Sequence, residues 1–185
     1  MTKQLEVLAI SGSLRAGSYN TALLRAAARI DCGMFAIRPE TQLGRLPLYN
    51  QDLDTDPAPG PVIALRERVA AADALLIATP EHNSSIPAAL KNAIDWISTA
   101  SGALLLDKPI AIAGASPGQF GSIRAQQALR QVLASVGADV VAKPDVAVFR
   151  SDTRFTGGGA LTDPRTTELL RDLLAALAGK LRPRT

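Results

Sequence analysis

The sequence alternates short apolar runs with segments of helical periodicity, and this alternation restricts the fold. Five apolar runs predict strands, over residues 5–11, 33–39, 74–80, 108–116 and 139–149. Five further segments predict helices, over residues 20–30, 61–73, 87–101, 121–137 and 165–181. Because right-handed crossovers join parallel strands through helices, the pattern predicts an α/β fold with an open parallel sheet and helices on both faces. Pro144 interrupts the fifth run, which predicts a strand at the sheet edge.

The composition fits one domain with an aliphatic core. The chain has 185 residues, of which 47% are hydrophobic and only 4% aromatic, as expected for a sheet covered by helices. No internal repeat or long linker divides it, so we expect one domain over residues 1–185. No apolar run reaches the roughly 20 residues of a membrane span, and the N-terminus does not resemble a signal peptide. These features predict a cytoplasmic protein with no membrane contact.

The counts of particular residue types exclude several classes of function. Cys32 is the only cysteine and His82 the only histidine, so the chain can form neither an internal disulfide nor an ordinary zinc site. We therefore expect no metal. The net charge is +3 and the basic residues are scattered, apart from a C-terminal stretch that we interpret as a solvated tail. This distribution predicts no nucleic-acid partner.

Three unusual loops follow predicted strands one, three and four. They are "GSLRAGSYN" (residues 12–20, the first loop), "TPEHNSS" (residues 79–85, the second loop) and "ASPGQFGS" (residues 115–122, the third loop). In open parallel sheets, ligands bind beyond the carboxyl ends of the strands, where the strand order changes direction. With the strand order 2-1-3-4-5, all three loops converge on one crevice.

The first loop has the residues of an anion site. Gly12 allows a sharp turn off the strand, and Arg15 supplies a guanidinium suited to phosphate. Four polar side chains lie near a predicted helix N-terminus, where free N–H groups and the helix dipole favour an anion: Ser13, Ser18, Asn20 and Thr21. The lysine of a nucleoside-triphosphate loop and the glycine pattern of a dinucleotide loop are both absent. A monophosphate therefore fits better, and the alternative is an ordinary helix cap with serines facing water.

The second and third loops suit a flat heterocycle. Pro80 and Pro87 stiffen the ends of the second loop, whose backbone N–H and C=O groups can pair with the edge of a ring. The third loop, which contains Ser116 and Pro117, can close the other side of the crevice.

These motifs together resemble the NADPH-dependent FMN reductase family, a group of flavodoxin-like quinone, chromate and azo-dye reductases. The first loop resembles the phosphate loop of that family, and "TPEHNSSIPAALKNAIDWIS" (residues 79–98) resembles its second signature; the likeness covers most of residues 4–150. The resemblance implies a flavodoxin-like three-layer sandwich around a five-stranded parallel sheet. It also implies an FMN site, with Ser13, Arg15, Ser18 and Asn20 on the phosphate, the backbone of Tyr19 and Thr21 assisting, Pro80, Glu81, His82, Asn83 and Ser84 along the isoalloxazine ring, and Ser116 approaching it.

The same resemblance implies a reaction. Hydride would pass from NADPH or NADH through FMN to a small acceptor such as a quinone, with azo dyes, chromate or free flavin as other candidates. No catalytic acid–base residue is expected, because the cofactor carries the chemistry. A homodimer or homotetramer is implied, with a neighbouring subunit completing the acceptor pocket. The alternative is a flavodoxin-type electron carrier that does not oxidise NAD(P)H; such carriers are usually strongly acidic, and the charge of +3 argues against one.

Three positions leave alternatives open. His82 stands where the family usually has Tyr, so it either packs against the ring edge or titrates near neutral pH. Tyr49 either overhangs the substrate side of the flavin or anchors a proline-rich loop. Glu81 is a general base or, as we prefer, a residue that places the backbone, and Lys91 with Asp95 is interpreted as an ordinary ion pair one helical turn apart.

Overall fold

The computed structural model describes residues 4–30, 33, 35–40 and 43–181, so Cys32 and residues 182–185 of the basic C-terminal stretch lie outside the described part. Within it the chain forms six strands: β1 (Leu5–Ser11), β2 (Phe35–Glu40), β3 (Ala74–Ala78), β4 (Pro109–Ala115), β5 (Asp139–Val140) and β6 (Val146–Val148). Five α-helices accompany them: α1 (Tyr19–Ala28), α2 (Gly60–Ala71), α3 (Ala88–Ser98), α4 (Ile123–Ser135) and α5 (Pro164–Leu181). Short 3-10 turns span Leu43–Arg45, Gln51–Leu53 and Ser151–Thr153.

The sheet is parallel and has the predicted order β2-β1-β3-β4-β5. The prediction of five strands is wrong in one respect, because the fifth apolar run forms two short strands. β5 pairs with the start of β4, where Ile110 lies opposite Val140, and β6 pairs with its end, where Ala113 lies opposite Val146. The chain leaves the sheet around Pro144, which has no N–H to donate to a ladder. Both short strands pair only with β4 among the described strands, so the edge position is confirmed.

All five predicted helices are present, and each begins and ends within three residues of its predicted bounds. The differences lie at the ends, because periodicity does not show at which residue the helical geometry begins or stops. At the start of α1, Ser18 has an extended backbone, and its side chain accepts a hydrogen bond from the first turn.

The core lies on both faces of the sheet, because successive side chains of each strand point to opposite sides. Val7 and Ala9 of β1 pack with α1 and α5 on one face, whereas Leu8 and Ile10 pack with α2, α3 and α4 on the other. Among the described residues, no helix is both long enough and apolar enough to cross a membrane.

Candidate functional site

The three loops lie at one edge of the sheet, because β1, β3 and β4 are adjacent and parallel. Gly12 begins the first loop and donates its N–H to Ala78 O at 2.8 Å. A Cβ at this position would lie 3.1 Å from Leu90 Cδ2 and 3.4 Å from Pro80 Cδ. The φ of Gly12 is not positive, so the reason for glycine here is the close approach of the first and second loops and not the sharp turn that the sequence suggested.

Ser18 caps helix α1. Its Oγ accepts the Thr21 N–H at 3.2 Å, and the residue is 4% exposed. The N–H groups of Tyr19 and Asn20 belong to the first turn and have no acceptor within the helix. The ring of Tyr19 packs on Phe155 at a centroid distance of 5.5 Å. The main chain of Tyr19, and not its ring, is therefore the part available to a ligand at the first loop. These N–H groups and the positive end of the helix dipole are features that favour an anion, in the place where the sequence analysis expects one.

Ser11, which the sequence analysis missed, organises the hydroxyl groups of the first loop. Its Oγ accepts the Ser13 N–H at 3.3 Å and the Thr21 hydroxyl at 3.0 Å. Ser13 Oγ in turn accepts the Arg15 N–H at 3.4 Å. The only signal in the sequence was a hydroxyl residue at the end of the strand, immediately before the glycine.

The electrostatics of the first loop favour an anion. No Asp or Glu occurs between residues 7 and 30, a stretch that contains three arginines. Arg15 is exposed and forms no ion pair with any described residue. Glu40, the acidic residue in the wall of the neighbouring cavity, pairs with Arg68 at 2.9 Å. The guanidinium of Arg15 is therefore available to a ligand.

The structure gives Asn20 different partners from those that the resemblance implied. Its Nδ2 donates to Ala115 O at 3.0 Å, and its Oδ1 accepts the Ala115 N–H at 2.9 Å. The residue is 3% exposed, and Ala115 is 2% exposed. Both ends of the amide are thus used to tie the start of α1 to the end of β4. Asn20 joins the first and third loops, and this contact engages its Oδ1 and one of its two Nδ2 protons.

The second loop contains a tight two-residue turn. His82 N–H donates to Ser85 O at 3.0 Å, and Ser85 N–H donates to His82 O at 2.9 Å. The central residues, Asn83 and Ser84, have φ of 49° and 62°. Asn adopts this left-handed conformation readily, whereas for Ser it is strained. A strained backbone of this kind persists only where surrounding contacts hold it.

Glu81 uses its carboxylate to cap helix α4. Its Oε2 accepts the N–H groups of Arg124 at 3.1 Å and Ala125 at 3.4 Å, and its Oε1 lies 3.5 Å from the Arg124 guanidinium. The residue that begins this helix, Ser122, forms no side-chain cap of its own. The structure thus favours the backbone-placing role of Glu81 over a general base.

The third loop is held against the chain that follows β6. Ser116 N–H donates to Val148 O at 3.0 Å, and Ser116 O accepts the Ser151 N–H at 3.1 Å. Gly121 has a φ of +54°, and a Cβ there would lie 2.7 Å from the carbonyl carbon of Ala147. Only glycine fits that position, so the loop that carries Ser116 has a fixed path.

Two open questions on helix α3 are resolved by direct contacts. Tyr49 packs edge-on against Trp96 at a centroid distance of 5.0 Å, and its N–H donates to Asn92 Oδ1 at 2.7 Å. Tyr49 therefore anchors its loop. Lys91 Nζ lies 2.6 Å from Asp95 Oδ1, and both side chains are partly exposed, so the predicted ion pair is confirmed.

Two cavities flank the loops. One of about 550 Å³ lies between α1 and β2; it shares Ser13 and Arg15 with the first loop and is also lined by Thr21. The other, about 530 Å³, lies between α3 and α4 and is lined in part by His82 and Asn83. Neither spans all three loops, so the loops define the site and not either cavity. The described residues contain no group of three His, Cys, Asp or Glu side chains that could hold a metal ion.

The arrangement suits a mononucleotide whose anionic tail binds the first loop and whose flat head lies beside the second and third loops. Glu81 is engaged as a cap, and the other polar side chains predicted for the site are hydroxyls, amides, one guanidinium and one imidazole. Such a site can position a ligand and its charge, and a reaction carried by the ligand itself needs little more.

Comparison with known proteins points in the same direction. The model of the NADPH-dependent FMN reductase family matches residues 5–152. An NAD(P)H-dependent FMN reductase of Pseudomonas aeruginosa is 42% identical over 177 residues, which cover 96% of this chain and 95% of that protein. A quinone reductase of Escherichia coli is 36% identical over 185 residues, covering 98% and 94%. The structure of FerB, a flavoenzyme NAD(P)H:(acceptor) oxidoreductase from Paracoccus denitrificans, superposes with a TM-score of 0.85 at 33% identity, covering 96% of this chain and 97% of that one.

Proposed function

Because the chain belongs to the NADPH-dependent FMN reductase family, we propose that it passes hydride from NADPH or NADH through FMN to a quinone. The quinone is proposed from the similarity to the quinone reductase of Escherichia coli. The whole chain, residues 1–185, is proposed to act as one domain, since helices cover both faces of a single sheet.

The first loop supports the phosphate half of the proposed site. Ser13 and Ser18 contribute hydroxyl protons, because a hydroxyl that accepts one hydrogen bond can still donate another. The Thr21 hydroxyl already donates to Ser11 Oγ, so Thr21 holds the first loop in place through Ser11. The N–H groups of Tyr19 and Asn20 add two further donors at the positive end of α1. Arg15 adds a charge with no partner among the described residues. The donor set is thus neutral apart from one cation, which fits a monophosphate.

The second and third loops support the ring half. We propose that the main chain from Pro80 to Ser84 pairs with the polar edge of the ring, and that Ser116 approaches it from the third loop. The turn between His82 and Ser85 uses the N–H and C=O of both residues internally, which leaves those of Asn83 and Ser84 for a ligand. His82 is exposed, and we propose that it packs beside the ring edge without a proton role.

FMN, when bound, supplies the chemistry of accepting and donating hydride, and the protein supplies position and charge. Residues of this chain orient the mononucleotide through the first loop and hold the rigid second and third loops against it. The observation that carries the proposal is the convergence of the anion-binding first loop with two such loops on adjacent strands.

Anaerobic stopped-flow reduction of the FMN-loaded protein tests the reaction. NADPH or NADH is expected to bleach the flavin absorbance, and an added quinone to restore it. Comparing the two nucleotides gives the preference between them. A flavodoxin-type carrier would bind FMN and show almost no quinone-stimulated NAD(P)H oxidation, which would contradict the proposal.

Replacement of Arg15 tests the phosphate site. Arg15→Ala is expected to weaken FMN binding by about tenfold, since a hydrogen bond to a charged group contributes about 1.5 kcal/mol or more. Riboflavin, which lacks the phosphate, is expected to bind both proteins equally. Arg29→Ala, at the opposite end of α1, removes the same charge as a control and should leave both affinities unchanged. Equal FMN affinity in Arg15→Ala and the wild type would show that Arg15 does not contact the phosphate.

We also propose a cytoplasmic location and assembly into a homodimer or homotetramer. The single cysteine suits a reducing compartment. Leu48, Phe120 and Phe149 are 80%, 58% and 43% exposed, and burial of such side chains between subunits would favour association. Light scattering after size-exclusion chromatography measures the mass; a monomer at micromolar concentration would contradict the assembly.

A further inference from the structure

Arg124, at the start of α4, contacts both loops that border the proposed ring site. Its Nη1 donates to Ser84 Oγ at 3.0 Å in the second loop, and its Cζ lies 4.3 Å from the ring centroid of Phe120 in the third loop. The same guanidinium is 3.5 Å from Glu81 Oε1. One side chain therefore joins two loops that are distant in the sequence. Ser84 and Arg124 themselves are 40 residues apart.

The segment that Arg124 holds is strained. Ser84 has a φ of 62°, which a residue with a Cβ adopts only at some energetic cost. The hydrogen bond from Arg124 to its hydroxyl is the side-chain contact that the structure gives this residue. The guanidinium thus stabilises a loop conformation that the sequence disfavours, and such strain is concentrated at functional sites.

The contacts of Arg124 affect position more than global stability. Its side chain is 44% exposed, and that of Glu81 is 13% exposed; an ion pair with so much exposure contributes little to folding. Glu81 also accepts the backbone N–H of Arg124, so the helix remains capped when the Arg124 side chain is removed. Loss of the guanidinium should leave the fold intact and free Ser84 in the second loop from its contact with the third loop, while Glu81 still ties the start of the second loop to α4.

We propose that Arg124 is a positioning residue that holds the second and third loops at a fixed separation and so shapes the site for the flavin ring. This inference rests on the proposed function. Lysine cannot replace it fully, because an ammonium lacks the planar fork that reaches Ser84 and Glu81 while stacking on Phe120.

Ligand binding tests the inference directly. Arg124→Ala is expected to weaken FMN and riboflavin by the same factor, about tenfold, because the ring site and not the phosphate site is altered. Arg124→Lys should recover part of that loss. Arg130→Ala is the control: it removes a partly exposed, paired guanidinium from the same helix, where Arg130 contacts Asp145 at 3.3 Å, and should leave both affinities unchanged. Unchanged riboflavin affinity in Arg124→Ala would overturn the inference.

Hydrogen exchange in the FMN-free protein separates this inference from the proposed function. The amides of His82 and Ser85 are hydrogen-bonded in the turn, and in Arg124→Ala they are expected to exchange about tenfold faster, while the amides of β3 are unaffected. Exchange at the wild-type rate would overturn the role of Arg124 whether or not the protein binds FMN. Faster exchange in a protein that binds no flavin would support the loop contact and contradict the proposed function instead.

Discussion

Replacement of Asn20 distinguishes a residue that separates two loops from one that binds phosphate. Asn20→Ala removes both hydrogen bonds to Ala115, at 3.0 and 2.9 Å. The backbone N–H and C=O of Ala115 are then unpaired in a buried position. Each unpaired buried group is destabilising by about 1–3 kcal/mol, so the variant should lose about 3 kcal/mol in total. For a chain of this length that loss lowers Tm by about 10 °C.

The assay is thermal unfolding of the FMN-free protein, followed by binding of FMN and riboflavin. We expect a lower Tm in Asn20→Ala and a loss of affinity that is equal for the two flavins, because the first and third loops are no longer held together. Asn92→Ala is the matched control. Asn92 also binds one backbone N–H and one C=O, at 2.7 and 2.9 Å, in a half-buried position outside the three loops. It should lower Tm less, since water can replace its bonds.

The opposite pattern would refute this reasoning. An Asn20→Ala variant with an unchanged Tm, weak FMN binding and normal riboflavin binding would make Asn20 a phosphate ligand, as the resemblance implied. The stability measurement decides between the two roles, because a ligand to phosphate contributes nothing to folding when no phosphate is bound.

Two further predictions concern the packing and the pH dependence of the fold. Gly114→Ala should lower the free energy of unfolding, measured in urea, by about 3 kcal/mol or prevent folding, because its Cβ would lie 1.9 Å from Ser122 Oγ. Gly44→Ala is the control and should have little effect, since a Cβ there would meet no atom closer than 3.6 Å. The pKa of Asp163 lies below its ordinary value, chiefly because the Thr166 hydroxyl donates to the carboxylate. That stabilisation is complete above about pH 4 and is lost as the pH falls through the lowered pKa. When the urea concentration at half-unfolding is measured at decreasing pH, it should therefore fall more steeply in the wild type than in Asp163→Asn.

The fold could be predicted from the sequence because strand and helix periodicities are local properties. Residues 74–78, for example, are buried on both faces of the sheet. A strand in that position has only apolar residues, and such an unbroken run is easy to identify in the sequence. The fifth strand was predicted as continuous because apolar content does not show where a ladder is interrupted. Pro144 indicated an edge strand, but the division into β5 and β6 depends on which groups β4 offers for pairing at each end.

The site could be predicted only in part, because the partner of a polar side chain is not a local property. The sequence identified the first loop from the order of its residues, and Ser18 does cap α1 there. The partners of Asn20 and Glu81 lie 95 and 43 residues away along the chain, and no spacing rule connects such positions. Arg124 was passed over for the same reason: in the sequence it is an ordinary charged residue near a helix start.

The three loops are joined in pairs by separate contacts, and this separation has a consequence for ligand binding. Gly12 brings the first loop against Pro80, Asn20 joins the first loop to β4, and Arg124 joins the second loop to the third. Because Arg15 is proposed to touch the phosphate without joining two loops, its replacement should change the ratio of FMN to riboflavin affinity, whereas replacement of Asn20 or Arg124 should preserve that ratio. A preserved ratio with weaker binding therefore indicates a change in loop position, and a changed ratio indicates the loss of a direct ligand.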